Sequence, residues 1–204
     1  MTASPAPLRL VAGASKGEAT RAQILAAAVE QASVMGFESL TIGSLAQRTG
    51  LSKSGLFAHF GSKLELQLAA LDEAARQYGE AVFLPALKAP RGVRRLRAIF
   101  GNWAGWREGG CPVDAASREY EHRPGPMRDA IVERLQRLDR ELRRAVQLAV
   151  DTGELASDTD VQQFALDFVG LMLVLSRGEL IMGHDESARR ASEAFEQLVR
   201  RHAA

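Results

Sequence analysis

The sequence predicts an all-α fold, and three observations lead there. Apolar residues recur at three- and four-residue steps along nearly the whole chain, the spacing that gathers them on one face of a helix. Nowhere does an alternating pattern rich in Val, Ile and Thr survive beyond a few residues, so no strand is predicted. Glycines and prolines fall between the periodic stretches, where they end helices, and there are no internal repeats.

The elements follow in order. Ile24, Ala28, Gln31 and Met35, joined by Leu25 and Ala32, mark a first helix that Gly36 closes. Two short helices are predicted near 42–48 and 53–59. A long one runs over 63–84 with Leu64, Leu68, Leu71, Ala75 and Tyr78 inward, ended by Pro85 and Pro90. Residues 92–107 are amphipathic through Val93, Leu96, Phe100 and Trp103, and 109–112 form a turn. Asp114 is placed to cap a short helix ending before Arg123. Pro126 suits the first turn of the next, which carries Ile131, Leu135, Leu138, Leu142 and Val146 and ends at Gly153. Asp158 or Asp160 caps a strongly apolar helix over 160–182, and 187–202 supplies the last, with Ala191, Phe195, Leu198 and Val199 inward.

Composition sets the bounds. The 204 residues are 46% hydrophobic and 25% charged, a globular balance, with a net charge of only +1. The charge is unevenly placed: residues 1–64 carry six Lys/Arg against three Glu, and the remainder 20 against 22. A basic N-terminal segment on an acidic body permits a nucleic-acid contact. The single cysteine, Cys111, excludes an intrachain disulfide and a cysteine-rich zinc module, and favours a reducing compartment. The longest apolar run, 168–176, is far short of a membrane span, so no membrane contact is expected. Residues 1–15 read as a loose arm, too short in apolar content for a secretory signal, and the expected location is cytoplasmic.

Residues 41–60 carry the functional signal. Thr41 is positioned to cap one short helix whose Ile42, Leu45 and Ala46 face inward. Gly50 makes the turn, Leu51 plugs the corner, and Ser52 caps a second helix held by Leu56 and Phe60. This is helix-turn-helix grammar, with the second helix free to enter a major groove. The outward residues Lys53, Ser54, Phe57, Ala58 and His59 offer a cation, a hydroxyl, an imidazole and flat or small apolar surfaces, and Gly55 lets the backbone come close.

Over about 16–70 the chain resembles the TetR family of transcriptional regulators. The resemblance rests on the first helix from Thr20, Gly36-Phe37, Leu40-Thr41-Ile42, Ala46, Gly50-Leu51-Ser52, Leu56-Phe57, His59-Phe60 and Ser62-Lys63. It implies contacts to double-stranded operator DNA. Thr41, Ser52 and Lys63 would touch phosphates, Lys63 from a helix first turn that favours anions. Lys53 and Ser54 would reach base edges, while Phe57 and His59 cover sugar, phosphate or thymine methyl surface. Thr41 and Ser52 serve equally as helix caps, and His59 as helix-end packing. The family usually has Gly at Ser54, Thr at Gly55 and Tyr at Phe57; Phe57 lacks the hydroxyl that the common Tyr would offer a phosphate.

The same resemblance implies a DNA-binding domain over 16–62 and a ligand-binding and dimerisation body over 63–204. Its last two helices would pair in a homodimer, and a small molecule would release the DNA. The stretch from Gly110-Cys111-Pro112 to Glu119, with Arg123-Pro124-Gly125-Pro126, resembles the body of one TetR subgroup. The apolar face of 160–182 is too broad for a single neighbour, and burial in a dimer or in a larger monomeric core would satisfy it. Phe100, Trp103, Trp106, Tyr120, Phe168, Met172 and Leu175 are candidates to line a largely apolar pocket, or else are simply core.

Enzymatic signatures are missing. His59, His122, His184 and His202 are scattered, and no His-Glu-x-x-His, Cys-x-x-Cys or Gly-x-Ser-x-Gly occurs. Glu119, Glu121 and His122 read as a solvated face rather than a metal site. Residues 13–17 lack the strand and the Gly-Lys-Ser/Thr ending of a phosphate loop. No catalytic residue, metal or cofactor is expected. The competing reading is a helical ligand-binding or interaction protein that does not bind DNA.

Overall fold

The computed structural model describes residues 15–106 and 111–204, all helix and connection with no strand among them. Residues 1–14 of the arm expected over 1–15, and the glycines at 109–110, lie outside the described residues, while Ser15 caps the first helix. Among the described residues nine α-helices follow one another: α1 (Lys16–Met35), α2 (Ile42–Thr49), α3 (Lys53–Phe60), α4 (Lys63–Ala86), α5 (Val93–Ala104), α6 (Pro112–Tyr120), α7 (Pro126–Asp151), α8 (Val161–Met182) and α9 (His184–Arg201). The chain divides into two compact units between Glu73 and Ala74.

In the first unit, α1 begins on a reciprocal cap: Glu18 N–H donates to Ser15 Oγ at 3.3 Å and Ser15 N–H to the Glu18 carboxylate at 2.7 Å. Ile24, Leu25, Ala28 and Ala32 of α1 are buried with Phe37, Leu40, Leu45, Leu56, Phe60 and Leu66. The buried Gln31 belongs to this face because its amide is satisfied, donating to Ser39 O at 3.1 Å and Ser44 Oγ at 3.2 Å. Gln67 likewise donates to Phe37 O at 2.9 Å. Met35 departs from the expected stripe: it is exposed, in the last turn before Gly36.

The second unit is organised around an aromatic core. Phe100 of α5 stacks on Phe195 of α9 with centroids 4.5 Å apart, and Phe168 of α8 meets both edge-on at 5.4 and 5.3 Å. Arg97 of α5 forms a forked pair with Glu196 of α9 at 2.8 and 2.9 Å, and Asn102 donates to Val82 O at 2.9 Å. Helices α8 and α9 cross closely at Gly178, where an added Cβ would lie 2.2 Å from Ser187 Oγ, itself bonded to Leu175 O at 2.9 Å.

Several boundaries and faces differ from expectation. Helix α4 continues through Pro85 to Ala86; the proline has no N–H for the carbonyl four residues back, and the helix ends one residue beyond it. Its buried face is Leu66, Ala70, Leu71, Ala74, Tyr78 and Val82, whereas Leu64, Leu68 and Ala75 are half-buried. Helix α6 starts at Pro112 behind Cys111, so Asp114 is a first-turn acid paired with Arg118 at 2.5 Å rather than a cap. Leu135 and Leu138 of α7 are only half-buried, and α9 begins at His184 directly after Gly183.

Candidate nucleic-acid interface

The sequence around α2 and α3 dictates its own geometry. Thr41 Oγ1 accepts from Ser44 N–H at 2.9 Å while Ser44 Oγ accepts from Thr41 N–H at 3.1 Å, closing a reciprocal cap. At the other end Gly50 takes a left-handed conformation, φ 70° and ψ 10°, that turns the chain toward α3. Ser52 Oγ accepts from Gly55 N–H at 3.1 Å and lies 3.2 Å from Ser54 Oγ. Leu45 and Ala46 are buried from α2, and Leu56 and Phe60 from α3. The Arg21 guanidinium lies over the Phe60 ring, 5.1 Å from its centroid.

With one side of α3 fixed, the opposite side is open. Lys53, Ser54, Gly55 and Ala58 are exposed, and Phe57 keeps 56% of its surface in solvent. A large aromatic left outward on a short helix is the informative exception, because none of the described residues of its unit covers it. His59 is half-buried and tilts toward Phe60, centroids 6.3 Å apart. Lys53 has no ion-pair partner among the described residues. Lys63, by contrast, is held by Glu38 at 2.6 Å, and Arg48 by Glu30 at 2.7 Å. The hydroxyls of Thr41 and Ser52 are both engaged in capping.

Residues 24–70 match the family described as bacterial regulatory proteins, tetR family, and residues 92–195 match the tetracyclin repressor-like C-terminal domain. The chain belongs to the TetR family of transcriptional regulators. Helices α2 and α3 are the helix-turn-helix of this TetR-family chain. Solved structures share its fold. A TetR-family regulator from Cytophaga hutchinsonii is 18% identical with a TM-score of 0.81, covering 94% of this chain and 98% of that one. A TetR regulator from Chloroflexus aurantiacus is 26% identical with a TM-score of 0.73, covering 93% and 99%. AibR, in complex with isovaleryl coenzyme A and operator DNA, is 21% identical with a TM-score of 0.65, covering 84% and 95%. No curated protein matches the chain in sequence.

The residues put forward for a ligand pocket are distributed unevenly in the TetR-family body. Phe100, Trp103, Phe168, Met172 and Leu175 share one buried core, and Trp106 packs against it. Tyr120 is buried outside that core, under the Arg123 guanidinium at 5.9 Å. Burial pushes the Cys111 thiol up to about 11, so it stays protonated near neutral pH. Tyr78, read from the sequence only as an inward residue of α4, proves unusual: its buried hydroxyl has no hydrogen-bond partner among the described residues. Nothing in the sequence marks that, since partners come from elsewhere in the fold. No helix among the described residues is long and apolar enough to cross a membrane.

Proposed function

We propose that this TetR-family regulator is a homodimeric repressor that binds a near-palindromic operator and is released by a small, largely apolar effector. The observation that carries the reading is the division of α3. Leu56 and Phe60 lock one side into the core, while the other presents Lys53, without an ion-pair partner among the described residues, beside Ser54, Gly55 and Phe57. An α-helix so presented fits a major groove, with Lys53 and Ser54 at base edges and Phe57 and His59 against sugar, phosphate or thymine methyl surface. Thr41, Ser52 and Lys63 flank it as phosphate contacts, Lys63 exchanging Glu38 for the DNA backbone.

Helix α8 supports the dimer. Leu166, Leu173, Val174, Leu180 and Ile181 recur at seven- and eight-residue spacing and are exposed, the last two at 90% and 73%. They lie opposite the buried face of Phe164, Phe168 and Leu175, so the helix is apolar on two sides. A second copy covering that stripe would set two recognition helices about one DNA turn apart. An effector that changes their separation weakens DNA binding. AibR, of the same fold, is seen with an acyl coenzyme A and operator DNA together.

Selection of bound fragments from genomic DNA, followed by footprinting, tests the reading. The expected site is an inverted repeat with half-sites about one helical turn apart, bound by a species of twice the 22.1 kDa chain mass. A folded dimer that enriches no fragment would contradict it.

A further inference from the structure

The second unit holds a set of buried hydrogen-bond donors for which its own described residues supply no acceptor. Tyr78 Oη, Trp103 Nε1 and Trp106 Nε1 are all inaccessible to solvent and unpartnered among the described residues. Tyr78 and Trp103 are each only 3% exposed. The three belong to one neighbourhood: the Tyr78 and Trp106 rings meet edge-on with centroids 5.8 Å apart. The Trp103 indole approaches the phenol without the geometry of a hydrogen bond, Nε1 and Oη both remaining unpartnered. Leaving one buried donor unmade is expensive, and three together in a native core call for an explanation.

We propose that these donors form the polar end of the effector site, and that the effector is a neutral apolar molecule presenting a carbonyl oxygen to Tyr78, Trp103 and Trp106. The inference rests on the effector reading above and deepens it. An indole N–H donates only, so the missing group is an acceptor; a carbonyl oxygen has two lone pairs, one for the Tyr78 hydroxyl and one for an indole N–H, and the phenol oxygen is itself an acceptor close to the Trp103 indole. Charge selects the neutral form. Burial, with Cys111 and Asp114 adding to it, pushes the Tyr78 phenol well above its ordinary range. The surroundings that keep phenolate from forming also disfavour a ligand carboxylate. The rest of the neighbourhood is apolar, with Phe83 meeting Tyr78 edge-on at 6.0 Å and Val82 buried one turn along α4. A carbonyl on an aromatic or alicyclic body therefore fits, and a hydrocarbon or an acid of the same size does not.

Two measurements test this. The first is calorimetric titration with acetophenone, ethylbenzene and benzoate, and with the naphthalene counterpart of each. Tryptophan fluorescence reports the site directly, because Trp103 and Trp106 are the chain's 2 tryptophans. The ketone of at least one size is expected to bind ten times or more tighter than its hydrocarbon and its acid, with a change in tryptophan emission. Tyr78→Phe should narrow that advantage and leave hydrocarbon binding unchanged. The second is thermal melting of ligand-free Tyr78→Phe, which removes an unmet donor while keeping the ring. Its Tm is expected to rise by about 2–4 °C. A fall in Tm would mean that the hydroxyl already has its partner and would overturn the proposal. So would equal binding of ketone and hydrocarbon in both sizes, or no ketone binding at all. The DNA reading fails separately: a ketone that titrates while no fragment binds supports the donor site and sinks the repressor. Release of DNA by the hydrocarbons or acids as readily as by the ketones keeps the repressor and sinks the donor site.

Discussion

Gly50 shows how much of the interface depends on single side chains. Its φ of 70° lies where only glycine sits without penalty, and an added Cβ would meet nothing within 4 Å. Gly50→Ala therefore carries a backbone penalty alone, about 1–2 kcal/mol, while Gly50→Asn loses less because asparagine tolerates that region. Thermal melting of the two variants checks the order. Glu186 gives a second residue-scale prediction. Arg189, at 2.7 Å, and then Arg190 hold its carboxyl down to about 2, from an ordinary 4.5. A depressed carboxyl contributes stability above its unfolded pKa and loses it as pH falls toward the folded one. Wild type should thus exceed Glu186→Gln in Tm at pH 6, and the gap should close between pH 5 and pH 2. The caps at Thr41 and Ser52 are legible in the sequence because capping is settled within three residues. The orphaned Tyr78 hydroxyl is not, since its lack of a partner depends on residues far along the chain.

Periodicity locates the helices better than it chooses their faces. In α4, Leu64, Leu66, Leu68 and Leu71 offer two stripes one residue out of phase, and only tertiary packing selects Leu66 with Ala70 and Leu71. In α9 the charged residues leave a single apolar stripe, and Ala191, Phe195, Leu198 and Val199 are buried as the spacing predicts. Helix α8 lies between these cases: its excess of apolar residues is visible in the sequence, but the division into a buried face and an exposed stripe is not. Val174 is 64% exposed, so Val174→Glu leaves the unit's core intact. Sedimentation velocity should show this variant as a folded monomer, with operator affinity falling sharply because one half-site contributes about half the contacts. A Val174→Glu protein that sediments as wild type would remove α8 from the interface.

At the scale of the whole molecule, the first unit carries the helix-turn-helix and the second carries the aromatic core and the unmet donors. The all-α class and the family were legible because a helix-turn-helix constrains about twenty residues at once. The effector chemistry was not, because the same aromatics serve as core and as pocket until their polar atoms are followed to a partner. We propose that α3 reads DNA through its exposed side. Fluorescence anisotropy with DNA from immediately upstream of the gene, across a salt series, tests it most directly when wild type is run beside Lys53→Ala and His59→Ala. Affinity is expected to fall steeply with salt and to be weakened about tenfold or more by Lys53→Ala and less by His59→Ala. Binding that ignores salt, or that survives Lys53→Ala unchanged, would contradict it.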